Sequence, residues 1–359
     1  MVFVIIKGDN MEKQIKKILE KLESNNYQAY LVGGFVRDYL LGIKSYDVDI
    51  CTNALPRDVY AMFNLVKSNY GSVNLKIEKY NVDITTFRKD YDYVNRRPSK
   101  IEYIDSLEED LKRRDFTINA ICMTKNGKVI DLLNGVDDLN KRMIRMIGDV
   151  STKITEDPLR ILRAIRFATV LDFELEENLK KIIKKNSKLV KTLSKERVKK
   201  ELEKILISKN YYKGINLLEE LKIAEMLEIE FQNVNYVDDL LGMWAQLNVK
   251  NMPFTNIEKS NIIKITNVLK EGTVSNKELY TYGLYPCTIA GKILNIHPKK
   301  INKMYQKLPI KARNDIDVDV KNLGAGAQIS QKYKILEEAI LSGKLKNKNK
   351  EIIKYLERV

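Results

Sequence analysis

The chain has 359 residues, 44% of them hydrophobic and 31% charged, and 63 Lys and Arg against 48 Asp and Glu give it a net charge of +15. That length allows two or more domains, no apolar run is long enough to span a bilayer, and the opening MVFVIIKGDN lacks the apolar length and cleavage site of a signal peptide. Three scattered cysteines (Cys51, Cys122 and Cys287) and one histidine, His297, fit a reducing cytoplasm and argue against a zinc site and histidine-based catalysis, leaving carboxylates with metal ions as the leading chemistry.

In chain order, MEKQIKKILEKLESNN reads as an amphipathic helix, YQAYLVGG as a strand and GFVRDYLLG as a short helix. YDVDICT is a second strand and LPRDVYAMF a helix opened by its proline. SVNLKIEKYNVDITTFR predicts a hairpin turning near Lys79–Asn81, and RKDYDYVNRRPSK, charged, aromatic and without either periodicity, a loop. LEEDLKRRDFTINAICM reads as helical, VIDLLNG and MIRMIGD as strands. After Asp149 the pattern is helix after helix with short polar breaks and no fixed repeat. The expected architecture is a mixed α/β head joined to an all-helical body. Residues 1–150 hold 24 Lys and Arg against 22 Asp and Glu, and the remainder 39 against 26. A neutral head before a basic body suggests catalysis in the first and polyanion binding in the second; a lysine-rich, AT-biased genome would give the same excess.

Aspartate is a poor strand residue, yet Asp47 and Asp49 flank Val48 in a hydrophobic strand. Alternation puts Tyr46, Val48 and Ile50 in the core and both carboxylates on the other face. VDITTF repeats the device with Asp83. A solvated strand edge would also tolerate such acids. Three carboxylates facing one cleft make better sense as ligands for two divalent ions, which prefer hard oxygen donors and suit in-line attack on a phosphate. Gly33 and Gly34 end one strand and begin a helix, so their backbone N–H groups can receive phosphate oxygens, and Arg37 follows one turn on.

GGFVRDYLLG with DVDI, RRDFTINAI at 113–121 and EDPLRILRAIRF at 156–167 together resemble the bacterial and eukaryotic-type tRNA nucleotidyltransferases and their poly(A) polymerase relatives, in the polymerase-beta-like superfamily. SKERVKKELEKIL, 194–206, resembles a weaker motif of the same family. The resemblance implies an α+β fold: a polymerase-beta-like nucleotidyltransferase head with a mixed sheet (1–148), then an all-helical neck that reads the base (149–210), and a helical body and tail that hold tRNA (211–359). It implies Asp47 and Asp49 as metal ligands for two Mg2+ ions, Mn2+ being an alternative, and Asp83 as a third catalytic acid. Gly33, Gly34 and Arg37 would contact the triphosphate, and Arg114, Asp115 and Asn119 the sugar and phosphates.

In EDPLRILRAIRF, Asp157 before Pro158 is a good helix start. Capping does not explain Arg160, Arg163 and Arg166, whose three-residue steps share a drifting stripe with Asp157 and leave positive charge uncompensated, although a solvated helix face has the same pattern. An arginine donor beside an aspartate acceptor matches the edges of cytosine and adenine and mismatches uracil and guanine. The resemblance then implies template-independent addition of C, C and A to the 3′ end of tRNA from CTP and ATP, releasing pyrophosphate. The segment RKDYDYVNRRP resembles the flexible element of CCA-adding members, and an arginine-rich tail of the poly(A) polymerase kind is missing. Poly(A) or partial (CC-only or A-only) addition is the alternative, and a catalytically silent RNA-binding protein the second.

Overall fold

The computed structural model describes residues 13–64, 72–94, 97–231 and 233–358. These fall into two compact units, 1–227 and 228–359. The first opens with α1 (Lys13–Ser24), whose Ile15, Ile18, Leu19 and Leu22 recur at helical spacing and are buried. β1 (Ala29–Val32), α2 (Gly34–Leu40), β2 (Asp47–Thr52) and α3 (Pro56–Met62) follow, the last with proline in its first turn. β3 (Ser72–Ile77) and β4 (Tyr80–Thr86) form the expected hairpin.

The loop expected over 88–100 is instead an antiparallel ribbon, β5 (Arg88–Val94) with β6 (Arg97–Tyr103), Asp90 lying opposite Ile101. The long helix expected over 107–123 is shorter. α4 (Leu107–Lys112), capped by Ser106, gives way to a 3-10 turn at Thr117–Asn119 and to β7 (Cys122–Met123). β8 (Val129–Ile130), α5 (Gly135–Asn140) and β9 (Met143–Ile144) complete the sheet region, and α6 (Val150–Glu156) leads into α7 (Leu159–Leu171). After β10 (Glu174–Leu175) come α8 (Glu177–Lys185), α9 (Lys195–Leu206), α10 (Tyr211–Glu220) and α11 (Ile223–Leu227).

The main sheet runs β3-β4-β2-β1-β7-β8. Its β2–β4 pair is parallel and its other pairs are antiparallel, so it is mixed, as expected. Val32, Cys51, Phe87, Leu111, Ala120 and Cys122 meet in one buried cluster between the sheet and α4. α7 and α9 pack together, burying Ile161, Leu162 and Ile165 of the first and Val198, Leu202 and Ile205 of the second.

The second unit is mainly helical: β11 (Ile229–Phe231), α12 (Leu240–Trp244), β12 (Leu247–Val249), α13 (Asn256–Glu271), α14 (Asn276–Tyr282), α15 (Leu284–Ile293), α16 (Pro298–Gln306), α17 (Ala327–Leu341) and α18 (Asn349–Leu356). The β11–β12 pair, like the short β9–β10 pair, is an exception to the all-helical expectation after 149. His297 caps α16, its Nδ1 accepting from the Lys299 N–H at 3.1 Å, a structural role as anticipated. The three cysteines are buried and free. Among the described residues no helix is long and apolar enough to cross a membrane.

Candidate active site

Parallel pairing of β2 with β4 sets Asp47 opposite Asn81 and Asp49 opposite Asp83. Val48, Ile50, Val82 and Ile84 are buried, so the alternating acids share the other face. Asn81 Nδ2 donates to Asp47 Oδ1 at 2.9 Å. Tyr46 departs from expectation: it precedes the strand and is 48% exposed rather than in the core.

Gly33 has φ +76°, and a Cβ there would lie 2.8 Å from Asp49 Oδ2, so glycine is required twice over. Burial pushes the Asp49 carboxyl above its ordinary range and the Asp83 and Asp47 charges add to this, against Arg114 and the Gly34 N–H. Those charges are what a bound cation would offset.

Asp49 forms a wall shared by two cavities. One, a cleft over the acids, also takes in Asp47, Asp83, Asn81, Asn74 and Lys76. The other, of about 440 Å³, gathers Gly33, Gly34, Arg37, Asp49, Arg114, Asp115, Asn119, Asp157, Arg160 and Arg163 from four separate stretches of chain. Asp90, Arg113 and Phe167 line it as well and were not anticipated.

A continuous hydrogen-bonded chain fixes these groups. Arg37 donates to Asp38 Oδ1 at 2.6 and 2.9 Å and to Asn119 Oδ1 at 2.7 Å. Asn119 donates to Asp115, which also accepts from Arg163 Nε at 2.7 Å and from Nη2. Burial raises the Asp115 carboxyl, but Arg163 and the donors from Asn119 and the Phe116 N–H outweigh it and hold it below the usual aspartate range. Asp110, fully buried, accepts from Arg113 at 2.8 Å and from Arg114 at 3.1 Å. The signal for Asp110 was present as i,i+3 and i,i+4 spacing in EDLKRR.

The arginines of α7 are not uncompensated, which corrects the sequence reading. Arg160 donates to Glu156 at 3.1 Å and to the Lys153 carbonyl at 2.6 Å, and Arg163 holds Asp115. Arg166 pairs with Glu201 of α9 at 3.2 Å and lines neither cavity. Asp157 Oδ1 accepts from the Leu159 N–H at 3.2 Å, so it does cap α7, while Oδ2 takes Arg197 of α9 at 3.3 Å. The weaker motif at 194–206 thus supplies partners for two residues of the stronger one. Phe167 is the common platform, with the guanidinium carbons of Arg37, Arg163 and Arg166 at 5.1, 5.5 and 4.1 Å from its ring centre.

The donor set around Asp47 and Asp49 is all oxygen, as a hard divalent ion requires. Among the described residues no three acidic, cysteine or histidine side chains converge closely enough to cage an ion by themselves. The expectation of three carboxylates converging as ligands is thus not met among the described residues; Mg2+ needs only one or two carboxylates, completed by substrate phosphates and water.

Residues 29–145 match the Poly A polymerase head domain, and 172–231 match a family described as the probable RNA and SrmB-binding site of polymerase A. The chain is 34% identical to a CCA-adding enzyme of Ligilactobacillus salivarius, covering 96% of each chain. It is 30% identical, with the same coverage, to one from Limosilactobacillus reuteri. Among solved structures it resembles the Bacillus stearothermophilus CCA-adding enzyme in complex with CTP, at 28% identity and a TM-score of 0.79 over 96% of both chains.

Proposed function

We propose that this chain, which belongs to the family of CCA-adding enzymes, adds C, C and A in turn to the 3′ end of tRNA from CTP and ATP, releasing pyrophosphate. The observation that carries this is the shared Asp49 wall: an arginine-lined chamber for a nucleoside triphosphate meets the acid face of β2 and β4 at one carboxylate. Asp47 and Asp49 would hold Mg2+, with Mn2+ as an alternative, and Asp83 stands beside them as the third acid. Bound there, the ions supply positive charge at the attacking oxygen and along the triphosphate.

The chain's own residues bind and orient. The Gly33–Gly34 backbone allows phosphates close to Asp49, and Arg37, Arg114 and Arg163 lie around the same space. Arg160 and Asp157 line the chamber together, an arginine donor and a carboxylate acceptor that suit cytosine and adenine. A ring N–H against the arginine or a carbonyl against the carboxylate would leave mismatched polar groups at a cost of about 1–3 kcal/mol each. Selection of this kind needs no nucleic-acid template. The division of labour we infer is a catalytic head over 1–148, a base-reading neck over 149–210 and a tRNA-holding body and tail over 211–359, working in the cytoplasm.

The deciding experiment offers tRNA ending before C, after CC and after CCA, with each nucleotide singly and in pairs. Two C additions followed by one A and then arrest support the proposal. A lengthening A tract indicates poly(A) polymerase, a halt after CC or a demand for tRNA ending in CC indicates partial addition, and binding without product a silent scaffold.

A further inference from the structure

The sheet order β3-β4-β2-β1 gives the acid strands two flanks. On one, Val32 of β1 pairs with Asp49, and Gly33 and Gly34 follow as part of the arginine-lined chamber. On the other, β3 runs along β4 with Asn74 opposite Asp83 and Lys76 opposite Asn81. The pairings make two rows across the strands, Asp49–Asp83–Asn74 and Asp47–Asn81–Lys76. Residues directly opposite one another share a face, and the intervening Val48 and Val82 are buried on the reverse side, so Asn74 and Lys76 stand on the acid face. Both are exposed, and both line the same cleft of about 420 Å³ as Asp47, Asp49 and Asp83. Among the described residues Lys76 forms no salt bridge.

The direction of the reaction indicates what this edge meets. In-line displacement puts the attacking hydroxyl and the departing pyrophosphate on opposite sides of the reacting phosphorus. The triphosphate belongs to the Gly33 flank, where Arg37, Arg113, Arg114, Arg160 and Arg163 line the chamber. The hydroxyl then has to arrive from the β4–β3 flank. The strand that bears it brings a phosphate one nucleotide behind it. Lys76 is the single cation among the described residues lining the cleft on that side, on a strand about 10 Å from β2 by two strand spacings. An ammonium on a flexible stem suits contact with one such phosphate.

We propose that this open edge of the acid face seats the 3′-terminal nucleotide of the acceptor RNA, with Lys76 holding the phosphodiester behind it and Asn74 beneath its sugar. The proposal rests on the nucleotidyl-transfer reading above, and the test separates the two. The full chain is given tRNA ending before CCA, its last phosphodiester either native or replaced by a neutral methylphosphonate. In wild type the neutral linkage should raise Kd and KM for tRNA about fivefold, the upper range for an exposed ion pair. Lys76→Ala should show the same rise with native tRNA and lose nothing further with the neutral linkage. Its salt slope of binding should be shallower by about 0.7, the share of one single-strand phosphate. KM for CTP should not move, and Lys76→Arg should restore tRNA binding. Additive losses from variant and linkage, or wild-type binding indifferent to the linkage, would overturn the assignment. So would a rise in KM for CTP, which would give Lys76 to the nucleotide, or a fall in kcat alone, which would make it a support for the acids. Coupled losses of binding in a protein that adds no C would refute nucleotidyl transfer and leave the phosphate contact standing.

Discussion

At the scale of single residues the site depends on carboxylates in unlike settings. Asp47 and Asp49 are aimed by strand alternation, with Asn81 steadying the first and the Gly34 N–H the second, and neither anchors the core, so Asp47→Ala and Asp49→Ala should fold and bind tRNA yet form no product. Product at near wild-type rates from either would dismiss the metal assignment. Asp115 is different, because it ties Arg163 and Asn119 together below the cavity. Its carboxyl is held below the ordinary value in the folded protein, so its contribution is fully present above the unfolded aspartate pKa of about 3.9 and is lost as pH falls through the folded value. Asp115→Asn should cost about 2 kcal/mol at neutral pH. The gap from wild type should close in denaturant titrations below about pH 4; a gap independent of pH would mean that packing, not charge, is what the aspartate supplies. Arg160→Ala should slow transfer from CTP and ATP and shrink the preference over UTP and GTP. Unchanged selectivity in a variant with a normal melting curve would move base choice elsewhere in the chamber.

At the scale of elements, the site's local motifs were legible and their partners were not. Gly33–Gly34, Asp47-Val-Asp49 and Asp157-Pro158 announce themselves because their geometry is set within a few residues. Glu201 and Arg197 could not be paired with Arg166 and Asp157 in advance, since those contacts exist only once α9 packs on α7. That is why the charge of α7 looked uncompensated. The β5–β6 ribbon escaped notice for another reason. Ile101 and Tyr103 are exposed while Asp90 is directed into the cavity, so the strands lack the alternation of a sheet with one buried face. Asp90 is 3.1 Å from Arg88 and 3.9 Å from Arg113, which links the ribbon to the chamber wall. Deleting Asp90–Asn95 should accordingly spare both C additions and abolish A addition, read as product lengths on a sequencing gel. Equal loss of C and A would make the ribbon a general support.

At the scale of the whole molecule, residues 151–359 carry 39 Lys and Arg against 26 Asp and Glu. Phosphate contacts release counterions, so tRNA affinity should fall by two or more orders of magnitude between about 50 and 200 mM salt. A flat salt profile would contradict a basic body that grips the RNA backbone. The sheet has a bearing on how this enzyme comes into being. The catalytic acids lie on its parallel pair, and β2 and β4 are joined in register across some 34 positions of chain, Asp49 to Asp83. Hairpins such as β3–β4 can zip from a tight turn, whereas a parallel pair must wait for its crossover and for the loop-closure entropy that the crossover entails. The acid face is thus complete only once that crossover has closed. Until then, Asp83 stays apart from Asp47 and Asp49, and a half-folded head could not present its three acids to one nucleotide.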